Sequence, residues 1–187
     1  MTEGAWRTPL GETKIDDALA KKILQGCSYL EDDNLAHACE HSLEVELPIL
    51  QYFKNDFKIV PIIFSFEELE VLKEIGRDIA RVINQEGLKD KTLIVASSDM
   101  THYEPEPRAK KNDRQAIEAI LALDENRLSN TIERFNISMC GAIPAIVMIC
   151  LAKALGATKG ELIKYQTSGD VTEDRSSVVG YAGIAIF

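Results

Sequence analysis

Asp99 and His102 stand three residues apart at the end of an apolar run, in Thr92-Leu-Ile-Val-Ala-Ser-Ser-Asp-Met-Thr-His-Tyr103. A carboxylate beside an imidazole can act as a base with its orienting group, or supply hard ligands to iron or zinc. The same two residues also fit a helix N-cap Asp and an exposed loop His. Ser97 and Ser98 do not form the G-x-S-x-G pattern of a nucleophile elbow. Cys140-Gly141 precedes a long apolar stretch, and a thiol near a helix N-terminus feels the positive end of the dipole, which favours a thiolate nucleophile or soft metal ligand. An inert, packed cysteine is the other reading of Cys140, and the expected one for Cys150. His37-Ala-Cys-Glu40-His41 matches H-x-x-E-H, in which two histidines on one helix face bind zinc and the glutamate serves as base. Arg175, in the polar loop Ser168–Ser177, suits an anion or an Asp–Arg pair.

The elements that must position these residues follow from periodicity. Leu93–Ala96 is apolar without alternation, as in a strand buried on both faces of a parallel sheet. Lys58–Phe64 reads as a second strand, with Pro61 arguing against pairing along its full length. Between them, Phe66, Leu69, Leu72, Ile75, Ile79, Val82 and Ile83 repeat at helical spacing up to a stop at Gly87. Strand, helix, strand implies a right-handed βαβ unit, whose ligands gather beyond the strands' carboxyl ends. Further helices are expected from Asp16, over about 109–122, from Asp124 and over 140–157, with strands at 162–167 and 180–187. Residues 1–13 read as a turn-rich start without strands, and Glu31–Asn34 as an acidic turn and helix start. Pro48 must kink or restart a helix.

The chain has 187 residues, enough for one domain over 1–187 with its own core. Its formal charge of −9 argues against nucleic acid or an anionic membrane as partner. Four cysteines without a CxxC pair, no signal-peptide pattern and no apolar run of spanning length describe a reduced, cytoplasmic, soluble chain.

Four segments in order give a more specific reading: Glu40-His-Ser-Leu-Glu-Val-Glu-Leu-Pro48, Ser97-Ser-Asp-Met-Thr-His-Tyr103, Met139-Cys-Gly141 and Thr167-Ser-Gly-Asp-Val-Thr-Glu-Asp-Arg-Ser-Ser-Val-Val-Gly-Tyr-Ala182. With them the chain resembles the Memo family (AmmeMemoRadiSam system protein B), from Trp6 to Phe187. That family is similar to the catalytic subunits of class III extradiol dioxygenases. The resemblance implies an α/β fold of three layers, a mostly parallel sheet flanked by helices, incomplete at the N-terminus. It implies iron or copper as cofactor, with Cys140 as a metal ligand, Asp99 and His102 in the vestibule, His102 in the acid/base position, and His41 as a further vestibule residue. Two more family histidines lie in motifs upstream of Trp6 that this sequence lacks, its only histidines being 37, 41 and 102. The chain is therefore expected to correspond to the C-terminal two-thirds of the family domain and to bind metal weakly or not at all. The implied activity is metal-dependent oxidation with AMMECR-type and radical-SAM partners, and this shorter chain by itself is expected to be inactive. A non-catalytic scaffold, a zinc peptidase at His37/Glu40/His41, and a homo-oligomer are the other readings.

Overall fold

A computed structural model describes all residues, 1–187. The chain divides into two compact units, residues 1–65 and 66–187.

The first unit opens on a hairpin, where the sequence suggested no strand. Strand β1 (Ala5–Thr8) pairs antiparallel with β2 (Gly11–Lys14), Trp6 opposite Thr13. Pro9 and Gly11, read as breakers, instead make the connecting turn. Gly11 takes φ 133°, and the Thr8 hydroxyl accepts from the Leu10 N–H. Helix α1 (Asp17–Gly26) begins where Asp16 accepts the Leu19 N–H. Residues 34–45 form successive turns, and helix α2 (Glu46–Phe53) restarts around Pro48, whose missing N–H costs nothing in a first turn. Gln51 of α2 bonds Thr8 and Thr13 of the hairpin.

The second unit holds the long helix α3 (Leu69–Gln85), ended by Gly87 at φ 66°, as its spacing predicted. Helix α4 (Glu106–Leu121) follows strand β3 (His102–Glu104), and α5 (Glu125–Phe135) is capped by Asp124. Helix α6 (Ala142–Ala154) starts two residues later than expected and packs on α3. They come close at Gly76, where a Cβ would lie 2.7 Å from the Val147 carbonyl. Strand β4 (Gly160–Thr167), a single helical turn α7 (Gly169–Thr172) inside the expected loop, and β5 (Val178–Ile186) complete the unit. The core lies between α3, α5 and α6 and under α4, with Ile75, Ile83, Leu128, Ile149 and Val178 fully buried.

The class is α/β, but the sheet is not the parallel one expected. Its strand order is β3-β5-β4, antiparallel throughout. The only parallel pairing is one bridge between Ile15 and Ile59. Segments 58–64 and 92–97 form no ladder. Periodicity reports which residues prefer an extended, buried backbone, whereas a strand also needs a neighbour to accept its N–H groups. No such neighbour runs beside 92–97 in this chain. Leu93 and Val95 are consequently 75 % and 44 % exposed. No helix is long and apolar enough to cross a membrane.

Candidate metal centre

Immediately after this unpaired run the chain becomes fully bonded. From Asp99 to His102, each N–H has a partner on a different part of the second unit. The Asp99 N–H donates to Cys140 Sγ at 3.2 Å, and the Met100 N–H to the Gly180 carbonyl at 2.9 Å. The Thr101 N–H donates to Asp113 Oδ1 at 2.8 Å, and the His102 N–H to Ser138 Oγ at 2.7 Å. Four bonds to its main chain hold the backbone of this turn and fix where its side chains start.

Two of those side chains are Asp99 and His102, with Asp99 Oδ2 3.4 Å from His102 Nε2. Neither alternative reading holds: Asp99 caps no helix, and His102 opens β3 with its imidazole mostly enclosed. Opposite them, Cys140 lies exposed just before the Gly141 N-cap of α6. One donor atom from each of Asp99, His102 and Cys140 falls within 4.8 Å of the others. A carboxylate, an imidazole and a thiol at this separation match the donor types that hold iron, copper or zinc. The residues present therefore fit a transition metal.

Gly141 makes the approach of Cys140 possible. A Cβ there would collide with the Ser97 carbonyl and the Ser98 side chain, so only glycine lets the head of α6 lie against the turn. On the other side, Tyr103 takes φ 57° at the bulge between the paired residues His102 and Glu104. This left-handed conformation is costly for an aromatic residue, and such strain clusters at functional sites. It leaves the Tyr103 ring exposed, 5.9 Å from the His102 ring.

Beneath the turn, Asp113 is completely buried on α4 and also accepts the Tyr165 hydroxyl at 2.6 Å. Burial, and then this bond, push the Tyr165 phenol far above its ordinary range. At the N-terminus of α4, Glu106 accepts from Thr167 and Arg175 and pairs with Lys110. The Lys110 partner above all, then Thr167 and Arg175, holds its carboxyl down to about 2. Arg175 thus serves in Asp and Glu pairs, with Asp170 at 3.8 Å as its second partner. Cys150 is buried, and its thiol is pushed up to about 11, as a packed cysteine requires.

His37, Glu40 and His41 are in the first unit, on turns where no helix face exists to align them. His37 Nδ1 donates to the Asp33 carbonyl and the ring packs against Trp6, while exposed His41 faces Glu44 at 3.0 Å. The cluster contains neither. The sequence reading named Ser98 and Gly141 within motifs without giving them a role at the site, and overlooked Ser138 and Asp113. Only Asp113 had a signal, as a carboxylate in line with Ala109, Ala116 and Ile120 on the buried stripe of its helix.

Comparison with known proteins shows the family. Residues 1–185 match the family described as Memo-like protein. The chain belongs to that family. It is 49 % identical over 185 residues to a MEMO1 family protein of Methanopyrus kandleri, covering 98 % of this chain and 65 % of the relative. A MEMO1 family protein of Methanocaldococcus jannaschii is 42 % identical over 190 residues, covering 100 % and 66 %. One from Aquifex aeolicus is 47 % identical over 181 residues, covering 96 % and 66 %. The Memo-like chain thus spans about two-thirds of the length of these relatives.

Proposed function

We propose that this Memo-like chain binds one transition-metal ion, iron or copper, through Asp99, His102 and Cys140, and that its activity class is metal-dependent oxidation. The observation that carries the reading is the convergence of three different donor types within 4.8 Å, two of them on a turn whose every N–H is bonded. When bound, such an ion supplies one-electron and Lewis-acid chemistry. Three protein donors leave its remaining positions to solvent or substrate.

The chain's own residues contribute orientation and access. Asp99 is half exposed and reaches both solvent and the imidazole. His102 is mostly enclosed and its Nε2 lies 3.4 Å from Asp99 Oδ2, so each side chain limits the orientation of the other. The substrate side is open, since Cys140 and Tyr103 are both exposed. A cytoplasmic setting and AMMECR-type and radical-SAM protein partners belong to the same proposal and rest on the family resemblance.

Loading the purified chain with iron(II) or copper under reducing conditions, removing excess and quantifying metal tests the reading. In place of the weak or absent binding inferred from the two missing histidines, the expected result is one equivalent per chain, lost in Cys140→Ala and unchanged in His41→Ala. Metal retained in Cys140→Ala would overturn the assignment.

A further inference from the structure

The segments that carry the cluster, 98–102 and 138–141, run past each other in opposite directions. No main-chain hydrogen bond joins them. Side chains do. The Gly141 N–H donates to Ser98 Oγ at 2.9 Å, and the Ser98 hydroxyl donates to the Asp99 carbonyl at 2.6 Å. The Asp99 N–H meets Cys140 Sγ, and the His102 N–H donates to Ser138 Oγ at 2.7 Å. Residue 98 thus joins 141, 99 joins 140 and 102 joins 138, which is the order of an antiparallel pair with two serine hydroxyls and the Cys140 sulfur in place of carbonyls.

We propose that Ser98 and Ser138 are positioning residues of the metal centre: their hydroxyls fix the distance between the Asp99–His102 turn and Cys140, and thereby set its affinity. This inference rests on the metal-binding reading above. The turn is anchored to α4 and β5 through Asp113 and Gly180, whereas Cys140 leads into α6, so the direct ties between the two sides are these bonds. An ion that finds its donors already spaced pays less ordering entropy than one that must gather them. Ser97 is a natural foil. It is the neighbouring serine, yet its hydroxyl makes none of these bonds.

Cobalt(II) titration, read by the thiolate-to-cobalt charge-transfer absorption, measures the affinity. Ser98→Ala and Ser138→Ala should each weaken binding by about tenfold, the scale typical of outer-shell partners of a metal site, with a larger loss in the double variant. Ser97→Ala should bind as the parent does. Parent-like affinity in both Ser98→Ala and Ser138→Ala, or an equal loss in Ser97→Ala, would overturn the proposal. Amide hydrogen exchange in the metal-free protein separates the two readings. Ser98→Ala should speed exchange at Gly141 and at Asp99, and Ser138→Ala at His102. A parent chain that takes up no cobalt would sink the metal reading and the affinity consequence with it. Unchanged exchange at those amides would sink the positioning itself.

Discussion

The Asp99 N–H points at the Cys140 sulfur from 3.2 Å across 41 positions of sequence. The bond makes the thiol part of the turn's fixed geometry while leaving it exposed to solvent. Reactivity should follow. Cys39 and Cys140 are exposed, whereas Cys27 and Cys150 are buried, and the Cys150 thiol is held protonated well above neutrality. Iodoacetamide at neutral pH should label two of the four, located by peptide mass spectrometry. Added cobalt(II) should protect Cys140 and not Cys39. Labelling of Cys150 as fast as Cys140 would contradict the burial described.

Gly76 gives an unusual expectation for a helix. Replacing an interior glycine by alanine ordinarily stabilises a helix by roughly 0.8–1 kcal/mol. Here the new methyl would meet the Val147 carbonyl at 2.7 Å and the Cys150 Cβ at 2.8 Å, with backbone on one side unable to yield. Gly76→Ala should therefore destabilise, by about 1–3 kcal/mol as overpacking does, seen as a lower urea midpoint. A stabilised variant would mean that α3 and α6 are not in this contact.

Acid stability should reflect Glu106. Its carboxyl is held at about 2 in the fold against an ordinary 4.5, chiefly by Lys110, then by Thr167 and Arg175. The folded state therefore binds this proton later than the unfolded chain does. The stabilisation is complete above 4.5 and is lost as pH falls from there through about 2. Glu106→Gln should be less stable at neutral pH, and its melting temperature should decline less steeply across that window. Parallel melting curves for the two proteins would remove Glu106 as a source of acid sensitivity.

The run at 92–97 offers unpaired N–H and C=O groups beside the exposed side chains of Leu93 and Val95. Free strand edges of this kind associate with one another. Light scattering on the isolated chain should show a mass that rises with concentration, and Leu93→Lys should shift it toward the monomer without altering cobalt binding. A concentration-independent monomer would show that the edge is already blunted.

How far the sequence could be read depended on whether a residue's role is local or borrowed. Amphipathic α3, the Asp16 and Asp124 caps and strands β4 and β5 are set by short-range spacing, and they formed close to where that spacing put them. The parallel sheet failed because pairing is decided by distant neighbours, which an apolar run such as Leu93–Ala96 cannot name. The hairpin at Ala5–Lys14 was hidden because its strands are exposed and lack apolar alternation. At the site, Asp99, His102 and Cys140 were visible by type and motif. Ser98 and Gly141 lay within the motifs without a readable role and Ser138 outside them, since a hydroxyl that receives an N–H from a distant segment looks in sequence like any loop serine.

The bonding of the 99–102 turn also orders its assembly in time. Its partners are Asp113, Ser138, Cys140 and, last, Gly180, all later in the chain than the turn itself. On the ribosome, Asp99 and His102 emerge with nothing to hold them, and the turn closes only when the final strand has left the exit tunnel. A nascent chain stalled before residue 180 would carry all three donors and no finished site. In the metal-binding reading proposed above, loading would follow the release of the last strand.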